Sequence, residues 1–326
     1  MIKIAIVGFG TVGQGVAEVL IEKKDYLERV VDKYKIVAVA DSRGSITGDV
    51  DLFEALEIKR RRGKLPAGLS AEEIIENLDF DLLIETTITN VEDGEPGLTY
   101  IKKALNRGIN VITSNKGPLV VAYRDLMRIA EKNDCRLLFE ATVGGAMPVI
   151  KLVDKCLAGN RIIGIKGILN GTCNYILSRM EKEKMPFNQV LAEAQELKIA
   201  EADPSYDVDG IDAASKLVII ANALLDLDAK LSDVEVTGIR EITPEAFEVA
   251  MEKGYTIRLV AEAGNEGLKV SPRLIPIHHP LSLQGTLNAL QIKTDLAGDI
   301  VVMGKGAGKR ETASAIISDF IDLYRN

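Results

Sequence analysis

Between Glu201 and Lys216 the chain sets five carboxylates, Glu201, Asp203, Asp207, Asp209 and Asp212, ahead of a single lysine. If a helix begins after Asp209-Gly210, Asp212 and Lys216 stand at i and i+4 on one face, with the acid N-terminal to the base, the favourable order. The carboxylate then orients the ammonium. A lysine held in this way can give or take a proton at a carbonyl or hydroxyl oxygen during hydride transfer, provided its surroundings tune its pKa. The two histidines, His278 and His279, are adjacent and precede Pro280, which reads as a turn rather than a proton-transfer site. Taken alone, the carboxylates also describe a solvated acidic loop capping a helix.

A second pattern supplies the partner for such chemistry. Gly8-Phe9-Gly10-Thr11-Val12-Gly13 matches G-x-G-x-x-G directly after an apolar run and ahead of a helix-period segment, the context that makes the pattern informative. Gly8 permits the tight turn and Gly10 lets a pyrophosphate approach the backbone. Gly13 lets helix and strand pack closely, and the helix N-terminus favours the negative charge. Asp41 ends the next apparent strand, where a carboxylate can accept from the ribose 2′-hydroxyl of NAD. Arg43 and Lys59 are instead suited to neutralise the 2′-phosphate of NADP. Both cofactors stay open, with the balance slightly toward NADP.

The elements that must position these groups can be read from the apolar pattern. Met1–Val7, Lys35–Ala40, Asp81–Glu85 and Asn110–Thr113 read as buried strands, with helical patterns between several of them, the first near Gly15–Val31. That alternation predicts an α/β fold, a Rossmann-type doubly wound parallel sheet over residues 1–148. A further strand over Arg136–Ala141 leads into Thr142-Val143-Gly144-Gly145-Ala146-Met147-Pro148, where Gly and Pro mark the domain switch. Residues 149–298 then form a second, α+β domain for substrate and dimerisation. It holds a strand over Arg161–Leu169, a helix over Ile211–Leu225 and two strands, Tyr255–Glu262 and Leu268–Ile275, joined by a glycine turn. The tail, 299–326, repeats the order strand, glycine turn, helix and is expected to return to the first domain.

Bulk properties exclude whole classes of function. A net charge of −8 over 326 residues is the wrong sign for gripping a nucleic-acid backbone. No cationic leader or cleavable apolar segment precedes the first strand, and the longest apolar stretch, Leu217–Leu225, is too short to span a bilayer. Three dispersed cysteines, Cys135, Cys156 and Cys173, suggest neither a disulfide framework nor a metal pair. A cytoplasmic enzyme with a small-molecule substrate, no nucleic acid and no membrane is expected.

The acidic stretch, Asp203-Pro204-x-x-Asp207-Val208-x-Gly210-x-Asp212-x-x-x-Lys216, resembles the signature of homoserine dehydrogenases. Leu169-Asn170-Gly171-Thr172-Cys173-Asn174-Tyr175-Ile176, Asn115-Lys116 and Glu140-Ala141-Thr142-Val143-Gly144-Gly145 match the family in order, so the resemblance spans essentially the whole chain. One departure is visible: Lys198 stands where the family usually carries a glycine.

The resemblance implies reversible, NAD(P)-dependent interconversion of L-homoserine and L-aspartate 4-semialdehyde, in the biosynthesis of threonine, methionine and isoleucine. Lys216 would be the proton relay and Asp212 its holder, with Lys116 where cofactor and substrate meet. Glu201 and Asp207 would bind substrate. Gly171 and Thr172 open a helix whose N–H groups suit the substrate carboxylate. Thr86, Thr87, Ser114, Lys116 and Gly306 would join the glycine loop, Gly8 to Gly13, in holding the dinucleotide. A monovalent cation, usually sodium, would sit on main-chain carbonyls of Glu140, Val143, Gly145 and Met147. A homodimer is expected, with no room for a kinase or regulatory domain. A rival, aspartate-semialdehyde dehydrogenase, needs an activated cysteine, for which Cys173 is the one candidate within a motif.

Overall fold

The computed structural model describes residues 1–325, which divide into two compact units: Met1–Ala146 with the tail from Gly308, and Met147–Ala307. In the first unit β1 (Ile2–Val7) leads through the glycine loop into α1 (Thr11–Glu22), followed by α2 (Lys24–Val30), β2 (Tyr34–Asp41), β3 (Gly44–Thr47), α3 (Leu52–Arg62) and α4 (Ala71–Asn77). Then come β4 (Leu82–Glu85), α5 (Gly97–Asn106), β5 (Asn110–Thr113), α6 (Lys116–Lys132) and β6 (Leu137–Leu138). The sheet runs β3-β2-β1-β4-β5-β6, parallel throughout except for the antiparallel edge strand β3. Strand order reverses between β1 and β4, so the crevice at their carboxyl ends is the place where an open α/β sheet takes a ligand.

The apolar runs form strands because helices cover both faces of the sheet. Ile4, Ile6, Leu82, Leu83, Ile84, Val111 and Ile112 are fully buried. Two expected elements differ. The helix near Gly15–Val31 breaks at Lys23 into α1 and α2, and the strand over Arg136–Ala141 shortens to β6 because Glu140–Thr142 closes into a 3-10 turn.

The second unit holds β7 (Ile162–Ile168), α7 (Gly171–Glu183), α8 (Phe187–Glu196), α9 (Ser205–Val208), α10 (Ile211–Leu224), β8 (Val234–Val236) and α11 (Pro244–Glu252). The long hairpin β9 (Tyr255–Gly264) and β10 (Gly267–Pro276) follows, then β11 (Leu287–Thr294) and β12 (Asp299–Lys305). Its sheet is ordered β12-β11-β7-β9-β10-β8 and is mostly antiparallel, with α10 and α7 packed on it.

The expectation that residues 299–326 return together to the first domain needs correction. β12 pairs antiparallel with β11, from Leu287↔Lys305 to Lys293↔Asp299, and so belongs to the second sheet. Only α12 (Lys309–Tyr324) returns. Its Ala313, Ile316, Ile317 and Phe320 join the first core, Phe320 packs edge-on to Tyr34, and Lys309 pairs with Glu18 at 2.7 Å.

Candidate active site

The two groups of candidate residues lie on different units, each at an element end. In the first unit, Gly8 takes φ 100°, and a Cβ there would meet the Thr86 carbonyl carbon and oxygen at 2.4 Å. A Cβ on Gly13 would meet the Gly8 carbonyl oxygen at 2.4 Å, so both glycines are required by close backbone approach. Gly10 differs. Its φ is ordinary and a Cβ would face open space, which is where a ligand would run along the main chain. Helix α1 has no side-chain cap and no acidic residue in its first turn, leaving its N–H groups and positive dipole end available to a pyrophosphate. These features fit a dinucleotide.

Phe9 is buried, with its N–H donated to Ala40 O at 2.9 Å, whereas Thr11 is exposed and Val12 half-buried. Thr86 Oγ1 donates to Gly8 O at 2.7 Å, bracing the glycine loop from β4, and Ser114 N donates to Glu85 O at 3.2 Å. Lys116, half-buried, opens α6 behind Asn115, whose side chain caps the helix by accepting from Gly117 N at 3.0 Å.

Asp41 and Lys59 pair, and Arg43 joins them through its main-chain N–H. Lys59 reaches Asp41 from the last turn of α3, and Asp41 also accepts from Arg43 N at 2.7 Å and Leu65 N at 3.0 Å. Burial pushes the Asp41 carboxyl up, but Lys59 and the two N–H groups outweigh it and hold the group below its ordinary value.

A residue the sequence did not single out stands at the carboxyl end of β4. Glu85, the last residue of β4, is fully buried and accepts from Thr87 N at 2.8 Å, from Thr87 Oγ1, and from Thr113 Oγ1 at 2.7 Å. Thr113 Oγ1 in turn accepts from Asn115 N at 2.9 Å. One carboxyl thus ties together the loops after β4 and β5. Burial pushes its pKa up, against the pull of these donors. Its only sequence signal was an acid closing an apolar strand ahead of two threonines.

In the second unit, α10 starts one residue after Asp209-Gly210, with Gly210 in the left-handed region at φ 87° as its N-cap. That start puts Asp212 and Lys216 on one face, both buried, with Nζ 2.8 Å from Asp212 Oδ2. Nζ also donates to Leu169 O at 2.7 Å. Two of the three ammonium donors are so used, leaving one for a substrate oxygen. Asn170 binds the carboxylates from the other side: its Nδ2 donates to Asp207 Oδ1 at 2.6 Å and Asp212 Oδ2 at 2.9 Å, while its Oδ1 caps α7 by accepting from Cys173 N. Burial pushes Asp207 up, and Asp212 adds to the shift, partly offset by Asn170, Thr172 and Lys216.

The other acids separate from this cluster. Asp203 accepts from Ser205 N at 3.1 Å and Asp209 pairs with Arg240, both local structural roles. Glu201 is exposed, with its main-chain oxygen held by Gln195 Nε2 at 3.0 Å. Gly171 opens α7 where a Cβ would strike Thr286 O at 2.6 Å, and Thr172 Oγ1 donates to Ile199 O at 3.1 Å. Asn170 and the Leu169 carbonyl were missed as individual contributors, although an asparagine ahead of a helix is an N-cap signal. Cys173 is fully buried, and its thiol is pushed well up by burial and by Asp207 and Asp212. It donates to Asp207 O at 3.1 Å. A thiol held protonated is not the thiolate nucleophile the rival chemistry requires.

Of the residues expected to hold a cation, Glu140 begins the 3-10 turn, Val143 and Met147 are buried, and Gly145 takes φ 57°. Gly306 follows β12, where a Cβ would strike the Asn288 side chain. Among the described residues no group of three or more His, Cys, Asp or Glu could hold a metal, and no helix is long and apolar enough to cross a membrane.

Comparison with known proteins agrees with this division. Residues 8–140 match the family model for the NAD-binding domain of homoserine dehydrogenase, and residues 148–321 match the model for homoserine dehydrogenase itself. A crystal structure provisionally described as a homoserine dehydrogenase from Archaeoglobus fulgidus superposes with a TM-score of 0.97 at 59% identity, covering 100% of both chains. Homoserine dehydrogenase from Methanocaldococcus jannaschii is 45% identical over 99% of this chain and 98% of its own length. An enzyme named NAD(+)-dependent homoserine dehydrogenase from Pseudomonas canavaninivorans is 35% identical, over 99% and 96%.

Proposed function

The chain belongs to the homoserine dehydrogenase family, NAD(P)-dependent oxidoreductases that interconvert L-homoserine and L-aspartate 4-semialdehyde, and on that premise we propose how its residues divide the work. The observation that carries the reading is the buried Lys216 ammonium, fixed by Asp212 and the Leu169 carbonyl with one donor to spare. In the reducing direction the third N–H of the Lys216 ammonium gives its proton to the carbonyl oxygen of aspartate 4-semialdehyde as hydride arrives at that carbon; in the oxidising direction Lys216, as the neutral amine, takes the homoserine hydroxyl proton as hydride leaves the hydroxyl-bearing carbon for the dinucleotide. Asp212 keeps the ammonium in place. Asp207, with Glu201, receives the substrate ammonium, and the N–H groups of Gly171 and Thr172 at the start of α7 receive its carboxylate. Lys116 acts where nicotinamide and substrate meet.

The dinucleotide, when bound, supplies or accepts the hydride. The loop from Gly8 to Gly13 cradles its pyrophosphate, with Thr86, Thr87, Ser114 and Gly306 completing the contacts. For the 2′ position we propose a slight preference for NADP. Lys59 already neutralises Asp41, which leaves the Arg43 guanidinium as net positive charge for a phosphate. Main-chain oxygens over 140–147 are hard donors of the kind sodium prefers, and they would hold that ion structurally. We further propose a cytoplasmic homodimer formed through the second domain, acting in threonine, methionine and isoleucine biosynthesis.

Homoserine-dependent reduction of NAD and NADP, followed side by side at the nicotinamide absorbance, tests the core of this reading. Turnover with both and a higher kcat/KM for NADP is expected. Turnover with neither would leave a dinucleotide-binding protein without this activity, and an advantage for NAD would make Asp41 the selector.

A further inference from the structure

The Leu169 carbonyl that receives Lys216 has a second donor. Asn288, the second residue of β11, is 1% exposed, and its Nδ2 lies 2.8 Å from Leu169 O. β7 ends at Ile168, so the Leu169 carbonyl has left the strand, and it accepts from these two side chains. The amide orientation follows from chemistry, since a carbonyl oxygen accepts and must face the NH2 end.

Two features show that asparagine at 288 carries a burden for this contact. Its Oδ1 is buried without a hydrogen-bond partner, a cost that an apolar side chain of the same shape would avoid. The space it fills exists only because residue 306 is glycine: a Cβ there would stand 2.0 Å from Asn288 Nδ2 and 2.3 Å from its Cγ. Gly306 is not in the left-handed region that demands glycine, so close approach of this side chain is the reason for its identity.

We propose that Asn288 is a positioning residue for the proton-transferring lysine: it fixes the Leu169 carbonyl so that this oxygen and Asp212 together aim the Lys216 ammonium, and Gly306 is a glycine to admit it. The proposal rests on the assignment of Lys216 made above. It also gives Gly306 a duty independent of the dinucleotide.

Asn288→Leu is nearly isosteric and removes donor and orphaned acceptor together. Its melting temperature should match or exceed that of the parent, while kcat falls about tenfold with KM for homoserine and dinucleotide within about twofold. A side chain with a purely structural role would not divide the two readouts in that way. Gly306→Ala should lower kcat similarly by displacing Asn288, and adding Gly306→Ala to Asn288→Ala, where the space is already vacant, should cost less than about twofold more. Unchanged kcat in Asn288→Leu overturns the proposal. So does a Gly306→Ala defect that appears as a raised dinucleotide KM and persists undiminished in the Asn288→Ala background. Failure of the underlying assignment looks different: the unaltered enzyme would show no homoserine-dependent reduction, or Lys216→Ala would retain it.

Discussion

Each unit buries carboxyl groups at the ends of its elements, and the two solve the problem of burial differently. In the first unit Glu85 is surrounded by neutral donors, two threonine hydroxyls and a main-chain N–H. In the second, Asp207 and Asp212 face a buried ammonium and share one asparagine. A cage of neutral donors fixes geometry, as would suit loops that receive an anion from main-chain N–H groups. A cage of opposite charges holds a proton that can be exchanged. On the proposed roles, the same carboxyl group positions loops in one unit and serves the reaction in the other.

The comparison is broken most directly at Lys216. Lys216→Ala should lower turnover by about 10² or more, with dinucleotide affinity nearly intact because the glycine loop belongs to the other unit. Near-normal kcat, or a dinucleotide Kd weakened in parallel, would end the division of labour.

Asp207→Asn comes next. Loss of a charge-assisted contact to the substrate ammonium should raise KM for homoserine about tenfold or more. Stability should move the opposite way. The folded carboxyl titrates above its ordinary value, mainly through burial and also through Asp212, so its ionised form costs stability at neutral pH. That cost is present above the raised folded pKa and fades as pH falls through it toward the ordinary carboxylate range of about 4. The variant should thus melt higher than the parent at pH 7, with the gap closing in acid. A lower melting temperature at pH 7 would show that Asp207 is stabilising as it stands. The expected pairing of gained stability with lost activity is the mark of a residue kept for function.

How much of this was legible in the sequence depended on whether the signal was local. β1, β2, β4 and β5 stood out because strands buried on both faces read as unbroken apolar runs. Asp212 and Lys216 stood out because four residues is a helical repeat. β11 was not recognised, since Asn288, Gln291 and Lys293 interrupt its run, and β12 was given to the wrong unit because hairpin pairing with an unseen strand leaves no trace. The Leu169 carbonyl has no side-chain signature, and Asn288 meets it from 119 residues away. Lys198 illustrates the reverse case. Its φ of 57° just after α8 is the left-handed conformation a glycine adopts most readily, so the lysine takes up the turn for which the family's glycine is suited.

Glu85 provides the finest test of the contrast, because the expected effect of removing its charge is small. Glutamine keeps one acceptor for Thr87 and can turn its NH2 toward the Thr113 hydroxyl, whose second lone pair is suited to accept. If the cage is positional, Glu85→Gln should keep kcat and dinucleotide KM within about threefold of the parent, since hydrogen bonding survives and a buried charge is no longer required. Glu85→Ala strands the donors of Thr87 and Thr113 and should cost about 1–3 kcal/mol of stability in thermal or urea unfolding. The two variants separate hydrogen bonding from charge. A fall in kcat/KM for Glu85→Gln of about tenfold or more, as deep as that expected of Asp207→Asn, would mean that the first unit also uses ionised carboxylate in the reaction.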